Sequence, residues 1–196
     1  MGKLFCVMGK SASGKDTIYK ELIKDKELAL KNVVPYTTRP KRNGEAEGET
    51  YWFVDEERFN LLKTQGKIVE DRAYHTAHGL WRYFTVDDGQ IDFSRGDYMI
   101  IGTLEAYTKM CQYFGDEKVV PIYINVEDGL RLLRALERER KQEQPKYVEL
   151  CRRFIADSED FSKENIEKCN IDIVFENEDL NTCIEKVKHF IIKKCN

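Results

Sequence analysis

The sequence predicts an α/β fold: a parallel five-stranded sheet flanked by helices, with a small mixed sheet inserted and a helical lid. Three observations carry that reading. Short apolar runs alternate with amphipathic helical patterns over most of the 196 residues, and strands joined this way by right-handed crossovers form parallel sheets covered on both faces. A glycine-rich turn, Gly9 to Thr17, lies between the first apolar run and the first helical pattern. Residues from about 35 to 86 break the alternation by crowding several strand-like runs together, the mark of an inserted lobe.

The elements follow in order. Leu4-Phe5-Cys6-Val7-Met8 is a buried-type strand, and a helix with apolar Ile18, Leu22, Ile23 and Leu28 should run to about Leu30. Asn32 to Tyr36 reads as a short strand in which Pro35, lacking an N–H, must sit at an edge or an end. A polar loop with three cations, Arg39, Lys41 and Arg42, comes next, then a strand at Tyr51 to Val54. Asp55 should cap a helix that Gly66 ends. Ile68-Val69-Glu70 and Leu80 to Thr85 are two further strands. The alternation resumes with a strand at Tyr98 to Ile101, a helix at Leu104 to Phe114 and a strand at Val119 to Ile124. A helix from Val126 to about Lys141 is broken by Pro145, and another covers Lys146 to Asn165. Ile171 to Phe175 is the last strand and Leu180 to Ile192 the last helix.

Composition narrows the function classes. Hydrophobic residues at 41% and charged residues at 34% suit a globular domain, and a net charge of −3 does not mark a nucleic-acid binder. No run approaches the ~20 apolar residues that span a bilayer, and the N-terminus lacks the pattern of a signal peptide; a cytoplasmic protein with no membrane partner is expected. Cys6, Cys111, Cys151, Cys169, Cys183 and Cys195 are scattered with no Cys-x-x-Cys pair, so free thiols are expected. His75 and His78 have no third ligand nearby and read as a surface loop, not a metal site.

Gly9-Lys10-Ser11-Ala12-Ser13-Gly14-Lys15-Asp16-Thr17 has the layout of a phosphate-cradling loop. Gly9 and Gly14 let successive amides point inward, the helix start adds partial positive charge, and Lys15 reaches a nucleotide's β- and γ-phosphates. The usual Ser or Thr after the lysine is replaced by Asp16, whose carboxylate is itself a hard ligand for Mg²⁺. A second basic concentration, Arg131, Arg134, Arg138 and Arg140, then Arg152 and Arg153, lies in the helical region past residue 126. Arg134 and Arg138 share a face; a solvated surface and a phosphate clamp both fit that spacing.

Thr37-Thr38-Arg39-Pro40-Lys41-Arg42-Asn43-Gly44-Glu45, with Gly48 and Tyr51, resembles the signature of the guanylate kinase family, and the resemblance extends over nearly the whole chain. It implies an ATP- and Mg²⁺-dependent transfer of phosphate to a nucleoside monophosphate, GMP or dGMP first. A kinase for another monophosphate and a non-catalytic binding module of the same fold stay open. By resemblance, Gly9 to Thr17 and Asn177 bind ATP; Arg39, Arg42 and Tyr51 hold the acceptor phosphate; Glu70, Tyr83 and Thr85 complete the acceptor site. Lys15, Arg39, Arg134, Arg138 and Arg153 carry catalysis, and Asp16 is the metal candidate. The implied organisation is one domain over 1–196. Its core comprises 1–34, 95–125 and 165–196, its acceptor lobe 35–94 and its lid 126–164; the partner is a nucleotide substrate, and the protein a monomer or homodimer. The chain departs from the pattern at Pro35, where a serine touches the guanine carbonyl, and at Gly102 and Leu104, where two aspartates are usual. Glu105 or Asp16 would supply a replacement carboxylate.

Overall fold

The computed structural model describes residues 2–42, 44–76 and 79–195; Asn43 and His78, both named above, lie outside the described residues. The chain opens with β1 (Leu4–Met8), α1 (Lys15–Lys24), β2 (Lys31–Asn32), β3 (Tyr36–Thr37), β4 (Trp52–Phe53) and α2 (Glu56–Thr64). β5 (Ile68–Thr76), β6 (Gly79–Val86), β7 (Tyr98–Ile101), α3 (Leu104–Phe114) and β8 (Val119–Asn125) follow. It closes with α4 (Asp128–Arg140), α5 (Tyr147–Asp160), α6 (Lys163–Lys168), β9 (Val174–Glu176) and α7 (Leu180–Cys195).

Five strands form an all-parallel sheet in the order β2-β7-β1-β8-β9. β1 is central and every one of its residues is buried. Its side chains alternate between two cores, as a period of two requires. Leu4, Cys6 and Met8 pack with Tyr98, Ile100 and the α3 residues Leu104, Tyr107 and Met110. Phe5 and Val7 pack on the opposite face with Ile18 and Leu22 of α1 and Cys183, Val187 and Ile191 of α7. The second sheet, β4-β3-β6-β5, is mixed: β3 runs parallel to β4 and antiparallel to β6. It buries Phe84 and Val86 against Phe59 and Leu62 of α2. The fold class read from the sequence is the one observed.

Several boundaries differ from the sequence expectation, β5 running on to Thr76, β9 starting only at Val174 and α7 reaching Cys195; three others have identifiable reasons. α1 stops at Lys24, six residues early, because Asp25 turns extended and its carboxylate accepts the Glu27 N–H, an Asx turn that competes with the helix; Ala29 then takes a positive φ. The expected strand through Pro35 is two strands in different sheets, β2 and β3. Pro35 sits between them, its carbonyl accepting from Trp52. The helix expected over 146–165 is split at Phe161, which leaves the helical line to stack on Tyr123 with ring centroids 5.6 Å apart, and Ser162 caps α6 through Asn165 N–H. By contrast Asp55 caps α2 through Arg58 N–H as expected.

Candidate active site

The glycine loop runs from β1 into α1 at the C-terminal edge of the parallel sheet, where ligands of open α/β sheets bind. Gly14 takes a φ of 84° and starts the helix with no side-chain cap, leaving its first amides for a ligand. Ala12 also has a positive φ, 63°, a conformation that costs energy for a residue with a Cβ. The Ser13 N–H closes back on the Lys10 carbonyl. Ser13 is buried and its hydroxyl has no partner among the described residues.

Groups far away in sequence hold this loop. Asn177, 2% exposed, donates Nδ2 to the Ser13 carbonyl at 2.7 Å, so it braces the loop from behind. Ser11 is the anchor on the other side: its N–H donates to Asp157 at 2.7 Å, its carbonyl accepts from Arg131, and its hydroxyl accepts from Arg153 at 3.0 Å. Arg131 is 1% exposed. Its guanidinium lies 3.9 Å over the Phe154 ring, 3.4 Å from Asp157 and 3.0 Å from Asp128. Lys10 pairs with the same Asp128 at 3.2 Å. Lys15 lies 3.7 Å from Asp16, whose carboxylate is exposed at the start of α1, and Thr17 is exposed beside it.

The arginines of α4 and α5 are placed unequally. Arg153 touches the loop through Ser11, Arg134 donates to the Glu178 carbonyl at 3.3 Å, and Arg138 is exposed in the last turn of α4.

The second sheet supplies the other half. Arg39 is 4% exposed and its fork grips Glu45 at 2.8 and 2.5 Å, with Tyr51 and Phe53 rings beneath it. The Arg39 hydrogen bonds hold the Glu45 carboxyl down at about 2. Arg42 directs its N–H to the same Glu45, and its side chain is exposed. Tyr51, Tyr83 and Tyr74 form a chain of edge-to-face rings 5.6 and 5.7 Å apart. Glu70, buried, accepts from the Thr85 hydroxyl at 2.8 Å and from the Arg72 fork. Burial raises the Tyr51 phenol above its ordinary value, with Tyr83 the next cause and Arg72 and Arg39 opposing it.

The structure thus brings Gly9 to Thr17, Asn177 and Arg153 together, and separately Arg39, Tyr51, Glu70, Tyr83 and Thr85. Leu104 is core, and a Cβ on Gly102 would strike the Cys6 sulfur at 2.7 Å, so neither position offers a carboxylate. Glu105 pairs with Lys109 at 2.7 Å, and its charge reaches Tyr74 and Asp160. Among the described residues no group of three or more His, Cys, Asp or Glu could hold a metal by itself. The six cysteines are unpaired, and no described helix is long and apolar enough to cross a membrane.

Sequence reasoning missed Arg72, Asp157 and the anchoring role of Arg131. Glu70-x-Arg72 at strand spacing was a usable signal for the first. Nothing in spacing announces a contact between residues 11 and 157.

Comparison with known proteins agrees with this geometry. A model described as guanylate kinase matches residues 1–80. A guanylate kinase of Coxiella burnetii is 37% identical over 76 residues, which cover 38% of this chain and only 36% of that relative. One from Caldanaerobacter subterraneus subsp. tengcongensis is 27% identical over 196 residues, covering 99% of this chain and 89% of that protein. The crystal structure of guanylate kinase from Anaplasma phagocytophilum shares the fold with a TM-score of 0.65 at 22% identity, over 99% of this chain and 86% of that one. The similarity to guanylate kinases is thus sharper over residues 1–80 and weaker from end to end, and the fold is shared with one of them.

Proposed function

We propose that the protein is an ATP-dependent nucleoside monophosphate kinase acting on GMP or dGMP. The observation that carries this is one chain that holds both a glycine loop bearing Lys15, braced by Asn177 and Asp157, and a second sheet that gathers Arg39, Tyr51, Tyr83 and Glu70. One site holds a donor's phosphates and the other an anionic acceptor, as in-line transfer requires. The core is 1–34, 95–125 and 165–196, the acceptor lobe 35–94 and the lid 126–164.

In this reading the loop amides and Lys15 bind the β- and γ-phosphates of ATP. Arg42 and Tyr51 take the acceptor phosphate, with Arg39 held against the Tyr51 ring by Glu45. An acceptor phosphate oxygen bonds to the γ-phosphorus as the bond to the β,γ-bridging oxygen breaks, and ADP leaves. Arg153, already on Ser11, and Arg134 and Arg138 neutralise the charge spread over the transferring group. Mg²⁺ would neutralise charge on the donor phosphates, with Asp16 as the carboxylate that would help to hold it. The exposed Asp16 carboxylate beside Lys15 suits it, since Mg²⁺ takes one or two carboxylates plus phosphate and water. A reducing, cytoplasmic setting belongs to the same proposal, on the six unpaired thiols.

The test is a coupled ADP-release assay with Mg-ATP against GMP, dGMP, AMP, CMP, UMP and dTMP. GMP or dGMP turnover that falls about 10²–10³-fold in Lys15→Ala is expected. ATP binding with no turnover of any monophosphate would overturn the kinase reading and favour a binding module.

A further inference from the structure

Positions 70, 72 and 74 of β5 share one face, and across the ladder stand Thr85, Tyr83 and Trp81. On this face Glu70 is not a free carboxylate. Its Oε1 accepts from the Thr85 hydroxyl at 2.8 Å and from Arg72 Nη2 at 3.3 Å, and its Oε2 accepts from Arg72 Nε at 3.0 Å. A carboxylate offers about four acceptor positions, two on each oxygen. Both on Oε1 are filled. A ligand with two parallel N–H donors, one for each oxygen, finds no room unless Arg72 leaves. The Arg72 side chain is 12% exposed and that of Glu70 1%, so the cation, not the anion, stands nearer the opening. A guanidinium has five N–H donors. Glu70 takes two, and Tyr74 contacts the same group. The remaining donors belong to the side that Glu70 does not cover, on the face that carries Tyr74 and, across the ladder, Tyr83.

Resting on the kinase reading, we infer that Arg72 is the acceptor-specificity residue. Fixed from behind by Glu70, it presents N–H donors to a base edge carrying a carbonyl oxygen and a ring nitrogen. That edge, O6 with N7, is the one arginine pairs with bidentately in guanine. Hypoxanthine carries it too, and lacks only the exocyclic 2-amino group. The acceptor class is therefore the 6-oxopurine nucleoside monophosphates, with GMP and IMP treated alike. Adenine places an amino donor where the carbonyl should be and is rejected.

The experiment is steady-state kcat/KM for GMP, IMP and AMP on the wild-type protein, with calorimetric Kd values for the same three. The expected result is GMP and IMP within about threefold, and AMP lower by at least about 30-fold, the range one bidentate contact supplies. Arg72→Gln frees the Glu70 carboxylate, and the GMP to IMP ratio should then rise above about tenfold. A wild-type preference for GMP over IMP beyond about 30-fold overturns the inference while leaving the kinase reading in place. So does an unmoved ratio in a folded Arg72→Gln protein. If none of the three is turned over, the kinase reading fails and the Kd values decide: equal binding of GMP and IMP supports the role of Arg72, while binding of GMP alone, or of neither, overturns it.

Discussion

Arg131 is the largest side chain among those fully buried, and replacing it with methionine isolates its charge. Arg131→Met keeps an unbranched apolar stem over the Phe154 ring, where the guanidinium now lies at 3.9 Å. It deletes the contacts to Asp128, Asp157 and the Ser11 carbonyl. Breaking a buried ion pair from one side costs about 3–5 kcal/mol. Asp128 is half exposed and can rehydrate, and Asp157 keeps the Ser11 N–H, which places the loss at the low end, about 3 kcal/mol. For a chain of this size that lowers Tm by about 6–12 °C. Urea and thermal denaturation of the wild type, Arg131→Met, Asp157→Asn and the double variant would measure it, with a coupling of about 1 kcal/mol or more between the two sites. An Arg131→Met protein within about 0.5 kcal/mol of the wild type would refute the reasoning, and would make the arginine a passenger in its own network.

Three further outcomes follow from the same geometry. Because Arg39 holds the Glu45 carboxyl at about 2, well below its ordinary 4.5, that pair contributes stability above pH 4.5 that is lost as pH falls toward 2; Glu45→Gln should flatten this acid limb in a pH series of denaturation curves, and an unchanged slope would dissociate the pair from stability. Phe84→Ala, removing a fully buried ring packed on Phe59 and Tyr36, should cost about 3–5 kcal/mol in urea unfolding. Asp16→Ala should raise the Mg²⁺ concentration for half-maximal turnover about tenfold, and an unaltered Mg²⁺ titration would remove Asp16 from the metal.

What could be read in advance depended on how local the cause was. The glycine loop, the Asp55 cap and the bounds of α3 are written in neighbouring residues. The end of α1 was legible in principle, since Asp25 competes for its own backbone; the apolar Leu28 and Leu30 masked it by continuing a helical pattern into a buried but extended segment. The break at Pro35 was visible as an interrupted strand, but not as a change of sheet, because pairing partners lie at Met99 and Phe84. In the site, residue types carried over and their engagements did not. Arg39 bound to Glu45, Glu70 bound to Arg72 and Ser11 bound to Asp157 are products of folding. Only the first two had sequence spacings short enough to suggest them.

The position of β1 governs how the chain can be made. It is made before every other strand of the sheet and lies in its middle. Its neighbour β7 begins about ninety residues later, and β8 later still. At a synthesis rate of roughly 5–20 residues per second, the apolar run Leu4 to Met8 waits about 5–20 s before any strand can pair with it. The glycine loop waits longer, since its brace, Asn177, follows Ser13 by 164 residues. A nascent chain that has not reached Asn177 therefore holds the residues of the glycine loop without their brace. That leaves an exposed, aggregation-prone segment in need of protection until β7 and β8 have been made.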